Sequence, residues 1–225
     1  MTWRLTCLAY PFPGSRVSGP PSIDELRKDA QTWDKIIIHV RELIHQYAGH
    51  HLPIAITEFN PAYDQSVGGE ATPDSHYNAI WMADALGRMI ENGVFMANEW
   101  ALTARGGYGS LGLIGQTDVY PMDYTCQMYK KFGSELVYSS SDNPDLSIYA
   151  AQRADETPTI MVINLSLEEK TKALRIGDRP RFRQKRGFLI PCKQWKTLES
   201  GIVQSNYSSP TVCDVIYCST TIFVM

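Results

Sequence analysis

The chain has 225 residues, 44% of them hydrophobic, 20% charged and 11% aromatic, with a formal net charge of −3. Such a composition describes a soluble globular protein of one domain, or one and a part. A weakly acidic balance with 21 Lys and Arg leaves no electrostatic footprint for nucleic acid, and no basic run suits an anionic membrane surface. No apolar stretch approaches the roughly 20 residues that span a bilayer, and Met1-Thr-Trp-Arg4 lacks the apolar core of a signal peptide. The chain as written is therefore expected in the cytoplasm, with no membrane and no nucleic-acid partner. Its five cysteines, Cys7, Cys126, Cys192, Cys213 and Cys218, form no C-x-x-C pair and read as ordinary thiols.

Arg4 to Tyr10 reads as a strand broken by Pro11-Phe-Pro-Gly14. From Ile23 to Tyr47, apolar residues recur at spacings of three and four, which predicts one long amphipathic helix. Ser22 with Glu25 forms a capping box at its start, and Gly49 suits the left-handed residue at its end. Leu52 to Phe59 reads as a buried strand, residues 60–73 as loop, and Tyr77 to Asn92 as a second helix closed by Gly93. Val94 to Trp100 reads as another buried strand. A glycine-rich loop, Gly106 to Gly115, leads to a helix near Asp123 to Phe132 stopped by Gly133. This β-α-β-α-β-α order predicts a parallel sheet. Leu146 to Arg153, Thr159 to Leu165 and Lys170 to Ile176 read as short strands of an antiparallel sheet, and from Gly177 onward no element is predicted.

Glu58 ends an otherwise apolar strand, where side chains of parallel α/β architectures face the site built by the following loops. Alternation places it with Ile54 and Ile56 on one face, a costly place for a carboxylate without a partner. The spacing alone equally allows a strand-end glutamate paired with an arginine. The next strand ends in Asn98-Glu99-Trp100, and an indole beside a carboxylate suits a sugar ring, whose C–H face stacks while its hydroxyls bond to acids and amides. Trp100 as core packing stays open, and Glu99, pointing the other way, is expected to be a structural ion-pair partner. Tyr10 can donate its hydroxyl to Glu58 or stand as a loop aromatic. Adjacent His50 and His51, with His76, have no ligand spacing for a metal, and no dinucleotide, phosphate-loop or serine-hydrolase motif occurs, so no metal or cofactor is expected.

Three segments, Leu52-Pro-Ile-Ala-Ile-Thr-Glu-Phe-Asn60, Trp81-Met-Ala-Asp-Ala-Leu-Gly87 and Met96-Ala-Asn-Glu-Trp-Ala-Leu102, together resemble the last quarter of a clan A retaining glycoside hydrolase barrel. The nearest resemblance is to α-L-arabinofuranosidase-like, family 39-like and family 44-like members. It implies Glu58 as the catalytic nucleophile at the end of the seventh strand, Trp100 as a sugar platform, Tyr10 as a hydrogen-bond partner of the nucleophile, and Asn60 as a substrate-binding residue. It also implies an α/β fold: a partial (β/α)₈, or TIM-type, barrel of its last three strand–helix units over 1–138. An antiparallel β-sandwich-like region over 139–176 and an atypical tail over 177–225, disordered or frame-shifted, complete the expected organisation.

Two departures stand out. Leu8 occupies a position where relatives commonly carry histidine. A full barrel takes about 250 residues, whereas this chain accommodates only three units before its antiparallel strands begin. The fourth-strand glutamate that serves as general acid/base is then missing. A truncated fragment acting on plant or microbial poly- or oligosaccharide, carrying the nucleophile but inactive alone, is the expectation, with exposed sheet edges that favour self-association. A non-catalytic carbohydrate-binding or scaffold protein is the alternative.

Overall fold

The computed structural model describes residues 5–12, 21–61, 69–102, 118–175, 185–190, 196–198 and 221–224. The glycine-rich stretch 106–115, the basic stretch 179–186 and the cysteines after Cys126 are not all among them: of these positions only Lys185 and Arg186 are described. The chain is mixed α/β with small sheets and divides into two units, Met1–Lys130 and Lys131–Met225.

The first unit holds a parallel sheet of β1 (Leu5–Ala9), β2 (Ile54–Phe59) and β3 (Met96–Glu99), in that spatial order. Helices α1 (Ile23–Ala30) and α2 (Trp33–Ala48) join β1 to β2. Helix α3 (His76–Glu91) joins β2 to β3, and α4 (Pro121–Lys130) follows β3. The capping box at Ser22 is present in both directions, with Ser22 N–H donating to Glu25 Oε2 at 2.7 Å and Glu25 N–H to Ser22 Oγ at 3.3 Å. Gly49 ends α2 at φ 71°, and Gly93 follows α3 at φ 64°.

The single helix expected from Ile23 to Tyr47 is interrupted. Thr32 offers both its N–H and its hydroxyl to the Asp29 carbonyl, each at 2.8 Å, and so competes locally with the helical ladder. A fresh helix starts at Trp33. Near the other end, α4 begins at Pro121, two residues before the expected start, because proline needs no N–H donor in a first turn.

The core lies between β2 and the helices. Phe59 meets Trp33 edge-on at 6.2 Å and Trp81 at 6.1 Å, so one strand residue is held by α2 and α3 together. Helix α3 packs against α1, α2 and α4 and is buried continuously from Tyr77 to Ala85, which makes it the central helix of the unit. Its buried Asp84 accepts from Arg88 at 3.0 Å, and Arg88 also reaches Asp34 on α2.

In the second unit, β4 (Glu135–Val137), β5 (Leu146–Gln152) and β6 (Pro158–Asn164) form an antiparallel meander. Strand β6 is buried along nearly its whole length, as a strand paired on both edges requires. Its second edge is taken by β10 (Thr221–Val224) in parallel, with β9 (Lys196–Leu198) beyond. For that reason β7 (Lys170–Arg175) does not extend the meander as expected, but pairs with β8 (Lys185–Ile190) in a separate hairpin. Strands β8 to β10 fall in the stretch where no element was expected.

Gly133 does not stop a helix, since α4 ends at Lys130. Its N–H donates to Thr159 Oγ1 at 2.8 Å, and a Cβ there would lie 2.4 Å from the Gln152 backbone. The glycine is required by this close approach to β5.

Candidate functional site

Neighbouring parallel strands end at the same height, so residues just past them meet however the chain runs between. Ala9 pairs with Phe59 and Phe59 with Glu99, which gathers Tyr10, Glu58, Asn60, Glu99 and Trp100 at one edge of the sheet. A further backbone bond, Phe12 N–H to the Pro61 carbonyl at 2.9 Å, ties the segments after β1 and β2 together.

Strand β2 carries one more residue than either neighbour at this end. Cys7 and Leu8 are consecutive opposite Ile56 and Glu58, while Ala97 and Glu99 stand opposite Ile56 and Phe59. This is a bulge at Thr57–Glu58, a device that re-aims a side chain. It adds one residue to β2 between Ile56 and Phe59. What orients Glu58 is its neighbour: Phe59 is directed at Trp33 and Trp81, and the preceding side chain takes the opposite face.

On that face Tyr10 donates its hydroxyl to Glu58 Oε1. Burial, then this bond to Glu58, holds the phenol well above its usual range, so Tyr10 remains a donor at working pH. Glu58 is half-buried, and none of the ion pairs among the described residues involves it. The arginine partner that spacing allowed is not found there.

Asn60 is fully buried. Its Nδ2 donates to Glu99 Oε1 at 2.9 Å and to the Trp100 carbonyl at 2.7 Å, which leaves the side chain no surface to offer a substrate. Trp100 N–H in turn donates to the Phe59 carbonyl at 3.0 Å. The Trp100 side chain is 52% exposed, so it is not core packing.

Glu99 departs from its expected role. It makes no ion pair among the described residues, and burial pushes its carboxyl up to about 9, against the lowering bond from Asn60. At neutral pH it is a protonated acid, and Oε2 has no hydrogen-bond partner among the described residues. Cys126 on α4 feels the same surroundings, its thiol pushed up to about 12 by burial and, once Glu99 has lost its proton at higher pH, by the Glu99 and Asp123 carboxylates. The signal for Glu99 lay in the register: an amide two residues past Glu58 on one strand falls level with the carboxyl ending the next. Among the described residues no group of three His, Cys, Asp or Glu could hold a metal ion, and no helix is long and apolar enough to cross a membrane.

No protein-family model matches the chain, and neither does any curated protein. Among solved structures it is similar to a monomeric beta-xylosidase from Caulobacter crescentus CB15, at 18% identity and a TM-score of 0.48. The match covers 87% of this chain, which spans 38% of the length of that one.

Proposed function

We propose that the chain carries the nucleophile part of a retaining glycoside hydrolase site, with Glu58 as nucleophile and Trp100 as the surface on which the sugar ring packs. The observation that supports this best is the Tyr10–Glu58 hydrogen bond across two parallel strand ends, opposite the aromatic core and with no cation on the carboxylate among the described residues. The resemblance of Ile56-Thr-Glu-Phe-Asn60 and Glu99-Trp100 to clan A hydrolases gives the same roles. The three strand–helix units are then the last three of a (β/α)₈ barrel, and the antiparallel strands after them belong to a sandwich-like domain.

In this reading a Glu58 oxygen attacks the anomeric carbon, the bond to the leaving oxygen breaks, and a glycosyl ester forms that water later hydrolyses. Tyr10 orients the attacking carboxylate and disperses its charge. Departure of an ordinary alcohol needs a proton from a second carboxyl about 5 to 5.5 Å away. Glu99 is committed beneath Asn60, so the reading assigns the acid/base to a residue outside these three units. The chain alone is then a slow catalyst at best, since proton transfer contributes about 10²- to 10⁴-fold.

A leaving group that needs no proton isolates the nucleophile. Dinitrophenyl glycosides bearing fluorine beside the anomeric carbon, in glucosyl, xylosyl and arabinofuranosyl forms, should esterify Glu58, and mass spectrometry of the digested chain locates the label. Glu58→Gln should remove it without change in circular dichroism. Labelling elsewhere, or none across the panel, overturns the assignment; oligosaccharide binding without a label would indicate a carbohydrate-binding role instead.

A further inference from the structure

The Trp100 indole stands over half exposed and so cannot be oriented by burial alone. The direction in which it leaves the chain is set by the backbone that carries it. That backbone is held at both polar atoms: the N–H by the Phe59 carbonyl at 3.0 Å, and the carbonyl by Asn60 Nδ2 at 2.7 Å. The second proton of the same amide goes to Glu99 Oε1 at 2.9 Å. One buried side chain just past β2 thus fixes Glu99, the last residue of β3, and Trp100 after it. A side chain amide has only two N–H groups, and both are in use, so Asn60 has no donor left for a ligand.

We propose that Asn60 is a positioning residue: its buried amide, bonded at once to the Glu99 carboxyl and the Trp100 carbonyl, holds the backbone from which the Trp100 indole projects to pack on a sugar ring. The sugar-facing part of this inference rests on the function proposed above; the clamp itself rests on the hydrogen bonds. The balance between its two bonds depends on the charge of Glu99. A carboxylate in that half-buried place would draw the Asn60 amide toward itself and demand solvation, which loosens the bond to Trp100. The proton belongs on Oε2, because Oε1 accepts from Asn60. The other titratable groups around the clamp are Tyr10 past β1, Glu58 on β2, and Cys126 with Asp123 on α4. Tyr10 is raised well above its usual range and Cys126 to about 12, so neither titrates where Glu99 does.

The full chain labelled with fluorotryptophan tests the clamp by fluorine NMR, with Trp100→Phe assigning the Trp100 signal. The wild-type signal is expected to move with a midpoint near pH 9. In Glu99→Gln, which imitates the protonated acid, it should coincide with wild type at pH 7 and stay flat as pH rises. Asn60→Ala should shift the Trp100 signal at pH 7 and weaken binding of cellotriose or xylotriose roughly tenfold, as loss of one buried hydrogen bond implies. Should Asn60→Ala fail to fold, the Glu99→Gln titration decides alone. A wild-type signal flat between pH 7 and pH 10, or an unmoved signal in folded Asn60→Ala, overturns the clamp. Failure of the wild-type chain to bind either trisaccharide while the fluorine titration behaves as described refutes the sugar platform and leaves the clamp standing.

Discussion

Replacing Glu99 by glutamine should make the protein more stable at neutral pH, against the usual direction of a substitution at a hydrogen-bonded, half-buried residue. The folded chain holds the Glu99 proton up to about pH 9, whereas the unfolded chain releases it near its ordinary value of 4.5. Between those limits the native state binds more protons, so stability must fall as pH rises, and the loss is complete once pH passes the folded value. Each pH unit carries about 1.4 kcal/mol, so from 4.5 to pH 7 the accumulated loss is about 3 kcal/mol. That figure does not depend on where above pH 8 the folded carboxyl titrates. Glutamine keeps the acceptor for Asn60 and has no proton to lose, so Glu99→Gln should match wild type near pH 4.5 and exceed it by about 3 kcal/mol at pH 7. Urea unfolding at a series of pH values, followed by the fluorescence of buried Trp33 and Trp81, measures both curves. Parallel curves between pH 5 and pH 9 would refute a protonated Glu99, and with it the electrostatic basis of the clamp.

Two further outcomes follow from packing. Phe59→Ala removes the ring between Trp33 and Trp81 and should destabilise the first unit by about 3 to 5 kcal/mol, read from the same urea transitions. Gly133→Ala places a methyl group against the Gln152 backbone and should destabilise the second unit by about 1 to 3 kcal/mol, read by differential scanning calorimetry. If the alanine variant melts unchanged, the close approach of Gly133 to β5 is wrong.

The local signals in the sequence were short-range, and they held where the physics is short-range. The capping box at Ser22 involves atoms three residues apart, and Gly49 needs only its own positive φ. The three parallel strands follow from apolar runs of strand length alternating with helical periods. The interruption at Thr32 was missed because the apolar stripe runs straight across it; a hydroxyl competing for the Asp29 carbonyl leaves no mark in the hydrophobic pattern. The hairpin of β7 with β8 was missed for a different reason: β6 was already paired by β10, some sixty residues along the chain.

At the site, the order of residues supplies the available groups: a carboxylate closing an apolar strand, a tyrosine and an indole closing its neighbours, and an asparagine two residues past the carboxylate. How they divide the work depends on the folded arrangement. Register across β1, β2 and β3 pairs Tyr10 with Glu58 and Asn60 with Glu99, with a bulge in β2 beside Glu58. The protonation of Glu99 is a matter of burial, a property of the surrounding elements. A one-dimensional pattern records what each residue can do, whereas desolvation and hydrogen bonding depend on neighbours that folding supplies.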